Sequence, residues 1–172
     1  PMPMKGVTVK NAVFASPITA NRIVDHGYPT PEGIDAYETK ARGGFAEVTV
    51  TESFIDHEYA WRHEHGLDVW SNPMTTFHME SIMTLTEAIK AHGAVASIEI
   101  DHGGGKANPM FTSDHVPHGP SAIRAAGGYD EEPMSVDFLH EIAAASGKGA
   151  AGDKLAGFQT VTLPPGRARS IN

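Results

Sequence analysis

Short β-branched runs alternate with longer stretches of helical periodicity along these 172 residues. The segment VKNAVFASPIT, 9 to 19, has its apolar centre at Val13, Phe14 and Ala15. It meets Pro17, which has no amide for a central ladder, so a first strand is predicted near 12 to 18. Thr30 and Pro31 give an N-cap and first turn, Ile34, Tyr37 and Ala41 recur at helical spacing, and Gly43 with Gly44 stops that helix. FAEVTVT, 45 to 51, reads as a second strand. Ser71 or Asn72 caps the next helix and Pro73 starts it. Met74, Phe77, Ile82, Leu85 and Ile89 form its apolar stripe, and His92 with Gly93 closes it. AVASIEI, 94 to 100, is a third strand. Met134, Ser135 and Leu139 match a hydrophobic staple around an N-cap and open a third helix. Its later part, AAASGKGAAGDKLAG, is weakened by glycines costing ~1 kcal/mol each against alanine. FQTVTL, 158 to 163, supplies a fourth strand.

Strands alternating with helices at this spacing favour parallel βαβ units with right-handed crossovers. A complete (β/α)8 barrel runs to ~250 residues. The expected architecture is therefore a single α/β domain over 1 to 172, a partial (β/α)8 TIM barrel of about the first four strands. Two open sheet edges predict a homodimer or a complementary half-barrel chain. The connections 52 to 72 and 101 to 133 are long enough to be functional, and the first reads as a solvated lid over an active site.

Charge and composition narrow the partners. A formal charge of -8 excludes the basic footprint of a nucleic-acid binder. With zero cysteines there is no disulfide and no cysteine-ligated cluster. The start PMPMKG lacks the apolar run of a signal peptide, and no stretch reaches the ~20 apolar residues of a membrane span, so a cytoplasmic location is expected. His57, His63 and His65 with Glu58 and Glu64 offer zinc-type ligands, but HEH lacks the i, i+4 helical presentation, and no metal site is expected.

In a barrel the chemistry gathers at the carboxyl ends of the strands. Ser16 to Thr19 offers backbone amides and two hydroxyls beside a proline-fixed turn, which suits a flat heteroaromatic edge. Glu99 ends the third strand, where an ionised carboxylate only accepts hydrogen bonds. His102 precedes glycines that permit close backbone approach to a ligand; it reads either as a support for that ligand or as a hydrogen-bonded structural group.

SPIT at 16 to 19, ARGGFAEVTVTES at 41 to 53, ASIEIDHGGGK at 96 to 106 and HGPSAI at 118 to 123 occur in an order that resembles the opening half of the old yellow enzyme family. These are the NADH:flavin oxidoreductases that include FMN-dependent ene-reductases and the 2,4-dienoyl-CoA and enoate reductase relatives. The resemblance spans residues 7 to about 163. It implies FMN as cofactor, NAD(P)H as reductant and an enone, enoate or enoyl-thioester substrate reduced at its activated C=C bond. By the same resemblance Ser16, Pro17, Ile18 and Thr19 lie beside the isoalloxazine edge. Thr19 falls near N5 and O4, and Ser53 is the small residue against the ring. Glu99 stands where many members pair a glutamine with the flavin pyrimidine, and His102 has a supporting role.

After strand four the family places a histidine, two small residues, a histidine or asparagine, a glycine and an aromatic. Here Pro164, Pro165, Gly166, Arg167, Ala168 and Arg169 follow. Arg167 and Arg169 thus occupy the substrate-binding and proton-donor positions, and no catalytic set is intact. The expectation is an FMN-dependent ene-reductase or a fragment of one, with weak or absent flavin binding and negligible turnover in this chain. A catalytically silent half-barrel serving binding or assembly is the alternative, and a metal-dependent barrel hydrolase a distant third.

Overall fold

The computed structural model describes residues 1 to 4, 7 to 18, 22, 24 to 68, 76 to 124 and 129 to 151. Two hairpins, β1 (Met2–Met4) with β2 (Val7–Val9) and β4 (Val24–Asp25) with β5 (Tyr28–Pro29), stand apart from the main sheet. That sheet holds β3 (Phe14–Ala15), β6 (Glu47–Phe54), β7 (Leu67–Asp68) and β8 (Val95–Asp101), all parallel to β6. Helices α1 (Pro31–Arg42) and α2 (Thr76–Lys90) form the crossovers. β9 (His118–Gly119) pairs in parallel with β10 (Glu132–Pro133), and α3 (Val136–Ala151) follows.

Local chemistry explains the helix ends. Thr30 Oγ1 accepts the Gly33 amide at 3.0 Å, Pro31 opens α1, and the Gly43 amide returns to Thr39 O at 2.8 Å. Gly93, at φ +67, donates its amide to Lys90 O at 2.9 Å and turns the chain out of α2 into β8. Ser135 Oγ accepts the Phe138 amide at 3.1 Å and caps α3. Tyr37 and Ala41 of α1 and Ile82, Leu85 and Ile89 of α2 bury against Val48, Val50 and Ala96. Each such aliphatic side chain contributes about 1.5–3 kcal/mol on removal from water. A second cluster, Phe54, Ala60 and Trp61 with Phe111, sits at the carboxyl end of β6.

Both edges of β6 are occupied. Glu47 and Val48 pair with β3 and β8, whereas Ser53 and Phe54 pair with β7 and β8. β3 and β7 therefore take the same edge in succession, opposite β8. Between Val50 and Ser53, β6 advances three residues while β8 advances two, from Ile98 to Ile100, which makes a bulge at Thr51 and Glu52. The bulge takes two amides off the ladder and side chains receive them. Tyr37 Oη accepts from Thr51 N at 3.0 Å, and the Glu99 carboxylate accepts from Glu52 N. Burial holds the Tyr37 phenol up at about 12, so it stays neutral. Tyr37→Phe strips the Thr51 amide of this acceptor and is expected to lower unfolding free energy by roughly 1–3 kcal/mol, measured by urea denaturation.

Two expectations are corrected, and two hairpins are added to them. The first strand is confined to Phe14–Ala15 rather than 12 to 18, because Asn11 Oδ1 takes the Val13 amide at 2.9 Å and β7 occupies the β6 edge beyond. The connection after the second strand is not a solvated lid: Phe54, Leu67 and Asp68 are buried and Trp61 is only 8% exposed. The amino-terminal and 24 to 29 hairpins were not anticipated, although His26 and Gly27, both at positive φ, are the signature of a two-residue turn. The cap at Ser71, Asn72 and Pro73, the residue Met74 and the fourth strand at 158 to 163 lie outside the described residues.

Candidate functional site

At the carboxyl end of β6 and β8 the side chains are mostly acidic. Arg62 Nη1 meets Glu52 Oε1 at 3.0 Å and Asp101 Oδ2 at 3.7 Å, and His63 Nε2 lies 2.8 Å from Glu52 Oε2. Glu99 and Asp101 share one face of β8, since strand side chains alternate, and Glu99 stands opposite the bulge. Burial pushes the Glu99 carboxyl above its usual range. Asp101 and Glu52 push it further, against the Glu52 amide and Arg62.

The segment between β6 and β7 is pinned over this end. His57 Nε2 lies 2.9 Å from the buried Asp68 Oδ2, and this hydrogen bond raises the His57 pKa against the opposing effect of burial. The His57 ring stacks on Trp61 at 5.0 Å. From the other side, the Gly103 amide donates to Ala60 O at 2.9 Å and Asn108 N to Trp61 O at 2.8 Å.

The residues singled out in the sequence fall into three places. Glu99 is half-buried and Ser53 fully buried, on neighbouring strands at nearly the same height. Ser53 Oγ lies 3.5 Å from Thr51 O and has no surface for a ligand to touch, so its expected direct contact with a flavin is not met in this arrangement. Ser16 is exposed, Pro17 half-buried and Ile18 59% exposed. They leave the ladder just after Ala15, which pairs with Val48, roughly 15 Å below Ser53 at about 3.3 Å per residue. His102 is in neither place: its side chain, 9% exposed, meets Phe138 with ring centroids 5.9 Å apart. Burial lowers its pKa, with Asp56 and Asp101 opposing. Thr19, Arg167 and Arg169 lie outside the described residues. Sequence reasoning missed Glu52, Arg62 and Asp101, and weighed His63 only as a metal ligand rather than as the partner of Glu52. The alternation of Glu99 and Asp101 along one strand face was the available signal.

A flavin ring edge presents both donors and acceptors, and a neutral carboxylic acid matches both, as an amide does. The raised Glu99 pKa fits that role. The phosphate does not find the same fit: Arg62, the cation at this end among the described residues, is already held by Glu52 and Asp101. Among the described residues no group of histidine, cysteine, aspartate and glutamate is arranged to hold a metal ion, and no helix is long and apolar enough to cross a membrane.

A parallel sheet in the order β3, β6, β8 with helices in the crossovers is an α/β arrangement of the kind (β/α) barrels are built from. A sequence profile of the NADH:flavin oxidoreductase / NADH oxidase family matches residues 1–161, and the chain belongs to that family, whose cofactors are FMN and NAD(P)H. It is 29% identical to an NADPH dehydrogenase of Bacillus pumilus, over all of this chain and 49% of that protein. It is also 29% identical to an NADH:acrylate oxidoreductase of Vibrio harveyi, over 92% of this chain and 15% of that protein. The structure of morphinone reductase in complex with tetrahydroNAD superposes with a TM-score of 0.76 at 19% identity, covering 92% of this chain and 46% of that one. The chain thus spans about half, or less, of the length of these relatives.

Proposed function

We propose that this chain carries the flavin-ring side of an FMN-dependent, NAD(P)H-linked reductase of activated C=C bonds. The observation that supports it is the coincidence of the family match, residues 1–161, with a parallel sheet whose strand ends bear the matched segments. Ser16, Pro17, Ile18 and Thr19 line one side of the ring and Glu99 its pyrimidine end, from opposite edges of β6. Ser53 shapes the floor, where a larger residue would disturb the ring from below. His102 supports the loop rather than the cofactor. When bound, the flavin supplies hydride transfer to the β-carbon of an enone or enoate, an assignment that draws on acrylate in the name of one relative.

A phosphate anchor and a proton donor come from outside the described residues. On the described residues alone, FMN binding is weak and turnover negligible. Among the described residues β8 pairs only with β6, and its other edge is covered by the expected fourth strand, by a second copy or by a chain carrying the other half of the barrel. Flavin fluorescence titration at pH 6 is expected to show saturable quenching only at high micromolar chain, without nicotinamide oxidation. A stoichiometric yellow complex with nicotinamide-dependent turnover would overturn the weak-binding part. No quenching up to millimolar chain would favour the second reading, a silent half-barrel, which the acidic strand ends and the engaged Arg62 support.

A further inference from the structure

Asp68 is a carboxylate that the fold has taken out of water: it ends β7, and its side chain is 4% exposed. Its amide donates to Gly27 O at 3.0 Å, and a Cβ on Gly27 would stand 2.6 Å from Asp68 Cβ, so the turn between β4 and β5 closes over it on one side. From the segment after β6 comes His57, whose Nε2 lies 2.9 Å from Asp68 Oδ2 while half of its own side chain stays exposed. A buried carboxylate thus meets a ring that water can still protonate.

Two independent contacts favour the charged form of that ring. Ionised Asp68 only accepts hydrogen bonds, so Nε2 carries a proton in either state, and a second proton on Nδ1 turns the bond into a charge-assisted pair. The His57 ring also lies on the Trp61 indole, centroids 5.0 Å apart and planes 26° from parallel, where an imidazolium is attracted to the π face. The other charged groups around it add no competing cation. Asp56 and Glu58 flank it on its own segment, with Glu58 3.6 Å from His115, and on the hairpin turn Asp25 and His26 are exposed and paired with each other at 2.7 Å. The Asp68 hydrogen bond chiefly holds the His57 pKa above 6.5, against burial and with help from the charges of Asp68 and Asp56.

The same segment is fastened differently farther on. Ala60 O and Trp61 O accept the Gly103 and Asn108 amides, bonds that do not titrate. What His57 holds is the turn 56 to 59, in which the Asp56 carboxylate accepts the Glu58 and Tyr59 amides at 2.7 and 3.0 Å.

We infer that His57 is a pH-sensitive latch on the rim of the sheet: protonated, it ties the turn 56 to 59 onto Asp68 and Trp61, and neutral, it lets that turn open about the fixed carbonyls of 60 and 61. Because the folded pKa is raised, the latch is complete below pH 6.5 and weakens as pH rises through the folded value. The response is graded, since the neutral ring still donates to Asp68 and Tyr59 stays packed on Phe138 at 5.2 Å. It requires no flavin.

The test is hydrogen exchange of the full chain at pH 6 and pH 8.5, read by mass spectrometry on peptides covering 55 to 62 and corrected for the intrinsic pH dependence of exchange. The Glu58 and Tyr59 amides of the parent are expected to open several-fold more often at pH 8.5. His57→Gln, at a half-exposed position where glutamine still donates to Asp68 but does not titrate, is expected to open equally at both. By NMR the His57 ring, identified by its loss in that variant, is expected to titrate above pH 6.5 in the parent and lower in Asp68→Asn. Should Asp68→Asn fail to fold, the parent titration and the His57→Gln comparison decide. A His57 pKa at or below 6.5, no rise in opening of the parent, or the same rise in His57→Gln overturns the inference.

Discussion

Gly103→Ala is expected to destabilise the domain by about 3 kcal/mol or more, the scale of overpacking combined with a lost buried hydrogen bond. A Cβ at this position falls 2.3 Å from Ala60 O and 2.7 Å from Arg62 Cγ. The arginine stem can move, but the carbonyl cannot retreat freely. It accepts the Gly103 amide at 2.9 Å, and the adjoining Trp61 carbonyl is held by Asn108 at 2.8 Å. Relief requires the strand-end glycines to part from the 60 to 62 segment, which also pulls Arg62 away from Glu52. Urea unfolding followed by tryptophan fluorescence measures the loss. A variant within about 0.5 kcal/mol of the parent, the range of ordinary surface substitutions, would show that this close approach is not real.

Glu99→Gln is expected to change the pH dependence of both stability and flavin affinity. The folded-state pKa of Glu99 lies above its ordinary value, chiefly through burial and then through Asp101 and Glu52. A raised pKa means the folded state holds its proton more tightly than the unfolded chain. The associated stability is fully present below pH 4.5, the ordinary value, and is lost as pH rises through the folded value. Glutamine keeps an acceptor for the Glu52 amide, offers a donor toward the neighbouring carboxylates and does not titrate. The variant should therefore be the more stable protein at pH 8, with a flatter profile between pH 4.5 and 8. If Glu99 faces the flavin pyrimidine, the affinity for FMN at pH 8 should also rise several-fold, since an amide donates and accepts without first taking up a proton. Parallel stability profiles for parent and variant would show that Glu99 is not crowded by its neighbours. Changed stability with unchanged FMN affinity would leave Glu99 structural only.

What the sequence made legible was local. Thr30, Pro31, Gly43 and Gly44 sit within α1 or at its ends, and the stripe of Ile82, Leu85 and Ile89 repeats within one helix, so each could be read without knowing its partner. The β6 and β8 strands were likewise visible as β-branched or apolar runs. The β7 pair, Leu67–Asp68, was invisible because two residues have no periodicity and pair only when the tertiary fold brings them to β6. The bulge at Thr51 and Glu52 was hidden for a related reason: an inserted residue shows only against the register of β8. Ser53 illustrates the cost, since its smallness was readable and its burial was not. The network of Glu52, Arg62, His63 and Asp101 joins residues up to 49 apart, which no motif window spans.

The succession of β3 and β7 along one edge of β6 divides the barrel opening into separately variable parts. The lower part of that edge belongs to the first βα unit and is fixed by the core beneath it. The upper part is supplied by a connection that leaves β6 and comes back to lie beside it. Lengthening or shortening the exposed turn at Glu64, beyond the pinned residues 57 to 62, alters the rim without shifting a residue of the lower ladder, and loops are where chains tolerate such changes best. Related chains are therefore free to diverge in whom they admit at the opening while keeping one floor.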